Sequence, residues 1–477
     1  MLTFTGTNLP ELITGEDGDD TLDGGGGEDT IMGYIGNDVV YGNSGDDILY
    51  GNDGNDLIDG GNRMDSIVGG FGLDTLTGGL GRDTIYGDIA NGTLGDDDVI
   101  MGGAAVDSIL GGGGDDTICG EDGIDLLFGD DGDDSICGGT GSDIIQGDDG
   151  DDLLFGEDGN DAISGGGGFN LIDCGLGADR VFGGGFDDTV YGRDGKDDVR
   201  GYGGDDLIIL GAHNDKADGG TGDDSIEGGS GLDQIHGGNG NDTLIAGDGP
   251  DLCFGDNGDD SIVGGVGADT LFGLTDDDTL IGGRSSDILN GNSGNDSLSG
   301  DQAADSLRGE WGNDTLDGGR GNDTLRGDAN ADLLIGGAGH DLMFGGTDND
   351  TLDGGRHNDT LDGESGDDLL LGGANTDVLN GGLGNDTLEG GTGRDDLLTG
   401  GTGADHFVFG LSHGAFDRIT DFERGIDKID LTGIGTDFAA LRIVTDGAES
   451  AKLVTGEGNI IVAGVGTDEL AASDFLF

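Results

Sequence analysis

Aspartate recurs every nine residues from Asp98 to Asp395, with Asn170 the one departure, and the same beat runs earlier from Asp20 to Asp83. An apolar residue keeps time two places later, as at Leu22, Ile31, Val40, Ile145, Leu316 and Leu388, and its exceptions Ala217, Cys253, Met343 and Phe407 are apolar too. Units such as Gly42–Tyr50, Gly318–Arg326 and Gly381–Glu389 share the frame Gly-Gly-x-Gly-x-Asp-x-U-x, where U is apolar. Counting Asp405, 43 units follow it. Carboxylates at so strict a period can serve acid–base chemistry or ligate cations. Acidic side chains are dense enough here to mimic any acid–base pair, so proximity among them carries no catalytic meaning. The period itself is the signal, and it marks a repeat architecture.

Each unit divides into halves of different physics. Gly-Gly-x-Gly-x-Asp is turn chemistry, because glycine reaches positive φ without strain. The remaining x-U-x makes a strand of minimal length with one side chain inward and two outward. Two units close one coil of 18 residues, and stacked coils place the U residues in a thin aliphatic seam between two parallel sheets. The stacking also brings aspartates 18 residues apart to within about 5 Å, where each pair repels by roughly 3 kcal/mol at an effective dielectric of about 20. A hard divalent cation between successive turns removes that conflict. Carboxylate plus backbone carbonyl oxygens is the ligand set calcium prefers, and up to about 40 Ca²⁺ ions would offset most of the formal charge of −83.

The unit resembles the RTX, or haemolysin-type, calcium-binding nonapeptide, over about residues 6–409. That resemblance implies an all-β parallel β-roll solenoid, calcium on the sixth-position Asp and on carbonyls of the glycine turns, and export through a type I secretion ABC exporter. Carried onto this chain, the implied ligands begin with Asp20, Asp29, Asp38, Asp47, Asp56, Asp74, Asp83, Asp116, Asp125, Asp134, Asp143, Asp152, Asp161, Asp179 and Asp197. They continue through Asp206, Asp224, Asp233, Asp242, Asp260, Asp269, Asp296, Asp314, Asp323, Asp341, Asp368, Asp386 and Asp395. Representative carbonyl ligands are Gly319 and Gly321 beside Asp323, and Gly382 and Gly384 beside Asp386. Where the fourth-position glycine becomes Asn330, Asn375, Asp276, Asp348, His213 or His357, the left-handed region is still well tolerated. Arg63, Ala105, Phe186, Ser285 and Ala303 tolerate it less, and weaker or missing metal is expected there.

With 114 glycines and a charge of −83, the chain without metal reads as a solvated, unfolded polymer. So acidic a balance excludes nucleic acid as a partner, since that binding rests on Lys and Arg. No run approaches the roughly 18 apolar residues of a membrane span. The start, Met1 to Pro10, lacks the basic and apolar regions of a cleaved secretory signal. Residues 1–19 read as a degenerate repeat capping the first coil, with Phe4 and Ile13 at the U place and Glu11 for Asp. The β-roll follows over 20–409, with a six-residue insertion around Ile89–Leu94 expected to bulge as a surface loop.

From Gly401 glycine thins out. His406-Phe-Val-Phe409, Asp417–Phe422 and Gly425–Leu431 resemble the segment that closes the roll in serralysin-type proteases, and Ser473-Asp-Phe-Leu-Phe477 is similar to type I export signals. Residues 410–477 therefore read as a β-rich cap and secretion signal, which places the protein outside a bacterial cell. No catalytic apparatus is present in the sequence: no His-Glu-x-x-His, no Gly-x-Ser-x-Gly elbow and no P-loop, so a non-enzymatic structural or interaction role is expected. The alternatives are the repeat tail of a secreted protease, lipase or epimerase, or an adhesive or toxin-like factor.

Ten aromatics occupy position nine, among them Tyr50, Tyr86, Phe254 and Phe272. They face outward, where a surface polysaccharide or protein partner would meet them, although β-propensity alone accounts for such residues. Cys119 and Cys137 share position nine one coil apart, so the coil stacks them on one outer face as free thiols or a strained bridge. Cys174 replaces a first-position glycine, and Cys253 is a buried U residue.

Overall fold

The computed structural model describes residues 1–88, 95–410, 416–445, 450–455 and 458–477. The expected loop at Ile89–Leu94 lies outside the described residues. The fold is an all-β parallel β-roll in two units, Met1–Gly240 and Asn241–Phe477. Each contains two parallel sheets whose strands alternate along the chain.

In the first unit the register is i to i+18, with Thr21 opposite Val39, Val39 opposite Leu57 and Leu57 opposite Thr75. Across the insertion the step lengthens to i+24, so Thr75 meets Val99 and Thr84 meets Ser108 with the phase intact. The seam is as expected. Leu22, Val40, Ile58 and Leu76 are fully buried on one side, and Ile31, Leu49, Ile67 and Ile85 on the other. Ala217, Cys253, Met343 and Phe407 keep the same buried place.

Many strands are longer than three residues. Ser261–Val266 and Thr279–Arg284 run through the first three positions of the next unit, whereas Thr315–Asp317 and Thr351–Asp353 stop at the minimal length. The first glycines thus belong to the sheet. Their backbone pairs with the coils on either side, as Gly265 does with Gly247 and Gly283.

In the second unit the step is 18 residues until Val378, which pairs with Leu397, and Thr387 pairs with His406, each 19 residues on. One extra residue therefore sits in the Gly390–Leu398 turn, and Leu398, not Leu397, enters the seam. Beyond it Lys428–Asp430 joins one sheet and Asp417–Ile419 the other. Phe475–Leu476 adds to Ile429–Asp430 in parallel, and Arg442–Thr445, Ser450–Val454 and Asn459–Ala463 form an antiparallel ribbon on the second sheet.

Cys119 stands directly opposite Cys137 in neighbouring parallel strands, both half-buried and free, while Cys174 and Cys253 are buried. Maleimide should label Cys119 and Cys137 of the folded protein well before Cys253, and an oxidant should link only the first two. Faster reaction at Cys253, or a bond from Cys119 to Cys174, would contradict the register.

Candidate metal centre

The sixth-position aspartates form two buried columns in each unit. Within a column every aspartate is held twice by its neighbours. The backbone N–H of Asp38 donates to Asp56 Oδ1 at 2.7 Å, that of Asp56 to Asp74 Oδ1 at 2.7 Å, and that of Asp314 to Asp332 Oδ1 at 2.8 Å. The carbonyl of each aspartate accepts the N–H of the residue following the next one in its column, as Asp20 accepts Val39 at 2.9 Å. Turning the carboxylate outward would break the bond to Oδ1.

The second carboxylate oxygen has no such partner. Oδ2 of Asp29, Asp38, Asp47, Asp56, Asp116, Asp134, Asp323, Asp341 and Asp386 is buried without a hydrogen bond, and so it is through most of each column. It turns toward the first-position glycine of its own unit and the first-position carbonyl one coil on. A Cβ on Gly318 would stand 2.7 Å from Asp323 Oδ2 and 2.9 Å from the Gly336 carbonyl oxygen, and Gly381 meets Asp386 and Gly400 in the same way. Leaving a buried acceptor unmade costs about 1–3 kcal/mol, and repeated more than thirty times this exceeds the 5–15 kcal/mol of a domain's net stability.

Electrostatics agree with the geometry. Burial pushes Asp74, Asp116, Asp278, Asp332 and Asp377 up to about 8, with further upward pressure from neighbouring carboxylates and partial relief from the backbone N–H each accepts. Burial is likewise the first cause at Asp56, Asp134, Asp323 and Asp368, raised to about 7.

A hard divalent cation fits these residues. Among the described residues no three His, Cys, Asp or Glu side chains converge on a metal position. A ligand set there would combine carboxylate oxygens with backbone carbonyls, which are oxygen donors of the kind calcium takes. In the Gly318–Arg326 unit, a Cβ on Gly321 would lie 2.6 Å from Asp323 Oδ1, so these two are brought together. Gly319 is oriented otherwise, its carbonyl accepting the Ala338 N–H at 2.9 Å. The Gly382 and Gly384 carbonyl oxygens are the nearest atoms to where a Cβ on Gly401 or Gly403, one coil on, would stand.

Three placements differ from the sequence reading. Asp395 is exposed with φ 60°, and Asp396 takes its place in the column, because the extra residue of that turn shifts the frame by one. Asp377 N–H accordingly donates to Asp396 Oδ1 at 3.0 Å. Asp20 lacks the open oxygen of the interior members, since its Oδ2 accepts the Glu16 N–H at 2.8 Å. Thirdly, four of the five residues that tolerate the left-handed region less well nevertheless adopt it: Arg63, Ala105, Ser285 and Ala303 have φ of 82, 103, 84 and 90°. Asp65, Asp107, Asp287 and Asp305 behind them are buried with open Oδ2 atoms like the rest. Asp98, Asp188, Asp215, Asp278, Asp332, Asp350, Asp359 and Asp377 were also outside the sequence-derived set and share that geometry. The nine-residue beat alone would have found them.

At Asn170 the column continues through Oδ1, which accepts the Asp152 N–H at 3.0 Å. Its amide nitrogen stands 3.5 Å from the Gly167 and Gly168 carbonyls, a donor facing the carbonyls where other coils present an acceptor.

A second, exposed ladder runs along position five, which the frame leaves unspecified. Asn55 N–H donates to Asn37 Oδ1 at 3.0 Å, Asp133 to Asp115 at 3.0 Å and Asn313 to Asn295 at 3.0 Å. Part of the acidic charge belongs to this ladder. It explains why Asn or Asp so often precedes the column residue.

The family model of the RTX calcium-binding nonapeptide repeat (4 copies) matches residues 5–172, 175–208, 209–253, 254–289, 290–388 and 390–408. No curated protein matches the chain. Eighteen solved chains do. One is the solution structure of the AlgE6R3 subunit from the Azotobacter vinelandii mannuronan C5-epimerase, 29% identical over 28% of this chain and 78% of that one, TM-score 0.18. Another is the crystal structure of extracellular lipase LipA from Serratia marcescens, 19% identical over 41% of this chain and 40% of that one, TM-score 0.18. Since the family match follows the same nine-residue frame as the buried aspartate columns, the chain belongs to the RTX calcium-binding nonapeptide repeat family.

Proposed function

We propose that this is a secreted calcium-binding repeat protein that folds on binding Ca²⁺ after export and acts as a structural or interaction module rather than an enzyme. The observation that carries the reading is the run of buried Oδ2 atoms without partners. The column aspartates, Asp396 in place of Asp395, would hold the ions together with turn carbonyls such as those of Gly321 and Gly336. The bound cations would supply the charge that lets the columns stay buried. Low calcium inside the cell would keep the chain extended for a type I exporter, and residues 410–477 would carry the address and close the last coil. The serralysin-like likeness of that segment supports the export reading, and Phe475, buried against the sheet, supports the closing of the last coil.

Circular dichroism during a calcium titration tests metal-driven folding. The chain should gain β structure cooperatively in millimolar Ca²⁺, with Mg²⁺ a poor substitute because it demands tighter geometry and keeps its waters. A full β spectrum in excess chelator would sink the proposal.

A pH dependence follows for the metal-free chain. Burial raises column aspartates such as Asp116 and Asp134 to about 8 and about 7 from an ordinary 3.8, so they favour the roll below about pH 4 and that contribution is lost as pH rises through the folded values. In chelator, β structure should increase as pH falls from 8 to about 4. An equally unfolded chain at both ends of that range would contradict the burial of the columns.

Deleting residues 460–477 should leave the protein inside cells that carry a type I exporter. Undiminished secretion of the deletion would rule out a terminal address.

A further inference from the structure

Two outward tyrosines, Tyr50 and Tyr86, stand in register on either side of Val68 in three consecutive strands of one sheet. Two places on, Asn52 stands opposite Gly70, and Asp88 follows Gly87, whose carbonyl accepts the Gly70 N–H at 2.9 Å. The middle strand thus presents only an isopropyl group and a bare backbone between two strands with larger side chains. The result is a cavity of about 380 Å³ lined by Tyr50, Asn52, Val68, Gly70, Tyr86 and Asp88.

From this we infer a sugar-binding slot, sized for one neutral pyranose residue of a polysaccharide. The tyrosine strands are two spacings apart, about 9.6 Å, which leaves room for one ring between them at about 4.8 Å from each strand position. A volume of about 380 Å³ lies within the range of small-molecule sites, and an apolar floor with few polar groups is their usual construction.

The polar groups decide the ligand class. Asn52 Nδ2 is buried without a hydrogen-bond partner and needs an acceptor. Asp88, 8% exposed, is an acceptor whose Oδ2 takes the Gly113 N–H at 3.1 Å. A hydroxyl both donates and accepts, so a polyol satisfies the two together. A quaternary ammonium would suit Asp88 and the tyrosine faces yet leave Asn52 unmade. An acidic sugar is opposed by the carboxylate of Asp88 in the slot.

The test uses the full chain folded in millimolar calcium, with cellotetraose, mannotetraose and maltotetraose titrated separately by calorimetry. At least one should bind. Tyr86→Ala should weaken it by about tenfold, a loss of one aromatic wall worth roughly 1.4 kcal/mol. Val68→Trp fills the slot from its floor and should abolish binding while the calcium-dependent β spectrum is unchanged, which separates loss of the slot from loss of the fold. The proposal is overturned if none of the three oligosaccharides binds in the millimolar range. It is equally overturned if Val68→Trp binds as tightly as the parent, or if tetramethylammonium displaces the sugar from the slot.

Discussion

Everything in this fold depends on burying rows of aspartates about one strand spacing apart, near 4.8 Å. The backbone fixes each carboxylate by one oxygen and leaves the other open. Column geometry therefore creates repulsion and an unmet acceptor at the same atom. An aliphatic seam one residue wide per strand cannot offset tens of kcal/mol of such cost. A positive charge or a proton in the row would relieve both, and the glycine turns surround each row with carbonyl oxygens.

The ends of the columns obey the same constraint by other means. Asp20 and Asp427 each close Oδ2 with the backbone N–H four residues earlier, from Glu16 and Glu423, at 2.8 and 2.7 Å. Glu11 Oε2 accepts the Thr7 N–H at 2.6 Å, and Asp474 Oδ2 the Ala471 N–H, three residues earlier, at 2.8 Å. Open oxygens thus belong to coils with a neighbour on both sides. The terminal coils, which lack one neighbour, satisfy their carboxylates internally. Asn170 is the interior counterpart, where an amide replaces one charge.

The seam and the i+18 register were legible in the sequence, because the period of the U residues is a packing requirement with no other solution. What was not legible depended on backbone energetics weighed against the stack. Arg63, Ala105, Ser285 and Ala303 pay the cost of positive φ because coils on both sides hold the turn, a restraint no single unit displays. Asp395 and Asp396 are adjacent aspartates followed by two leucines, so counting by nines cannot tell which enters the column; the extra turn residue decides it. Position five carried a signal in its recurrent Asn and Asp. Its role as a hydrogen-bonding ladder follows only once the coils are stacked.

The claim that the open oxygens are calcium sites is tested most directly by long-wavelength anomalous diffraction from crystals grown in calcium. Peaks should lie beside Oδ2 along the columns, including Asp65, Asp305 and Asp396, and be absent beside Asn170 and Asp395. Ions found only at exposed position-five carboxylates, with none beside the buried Oδ2 atoms, would contradict the account.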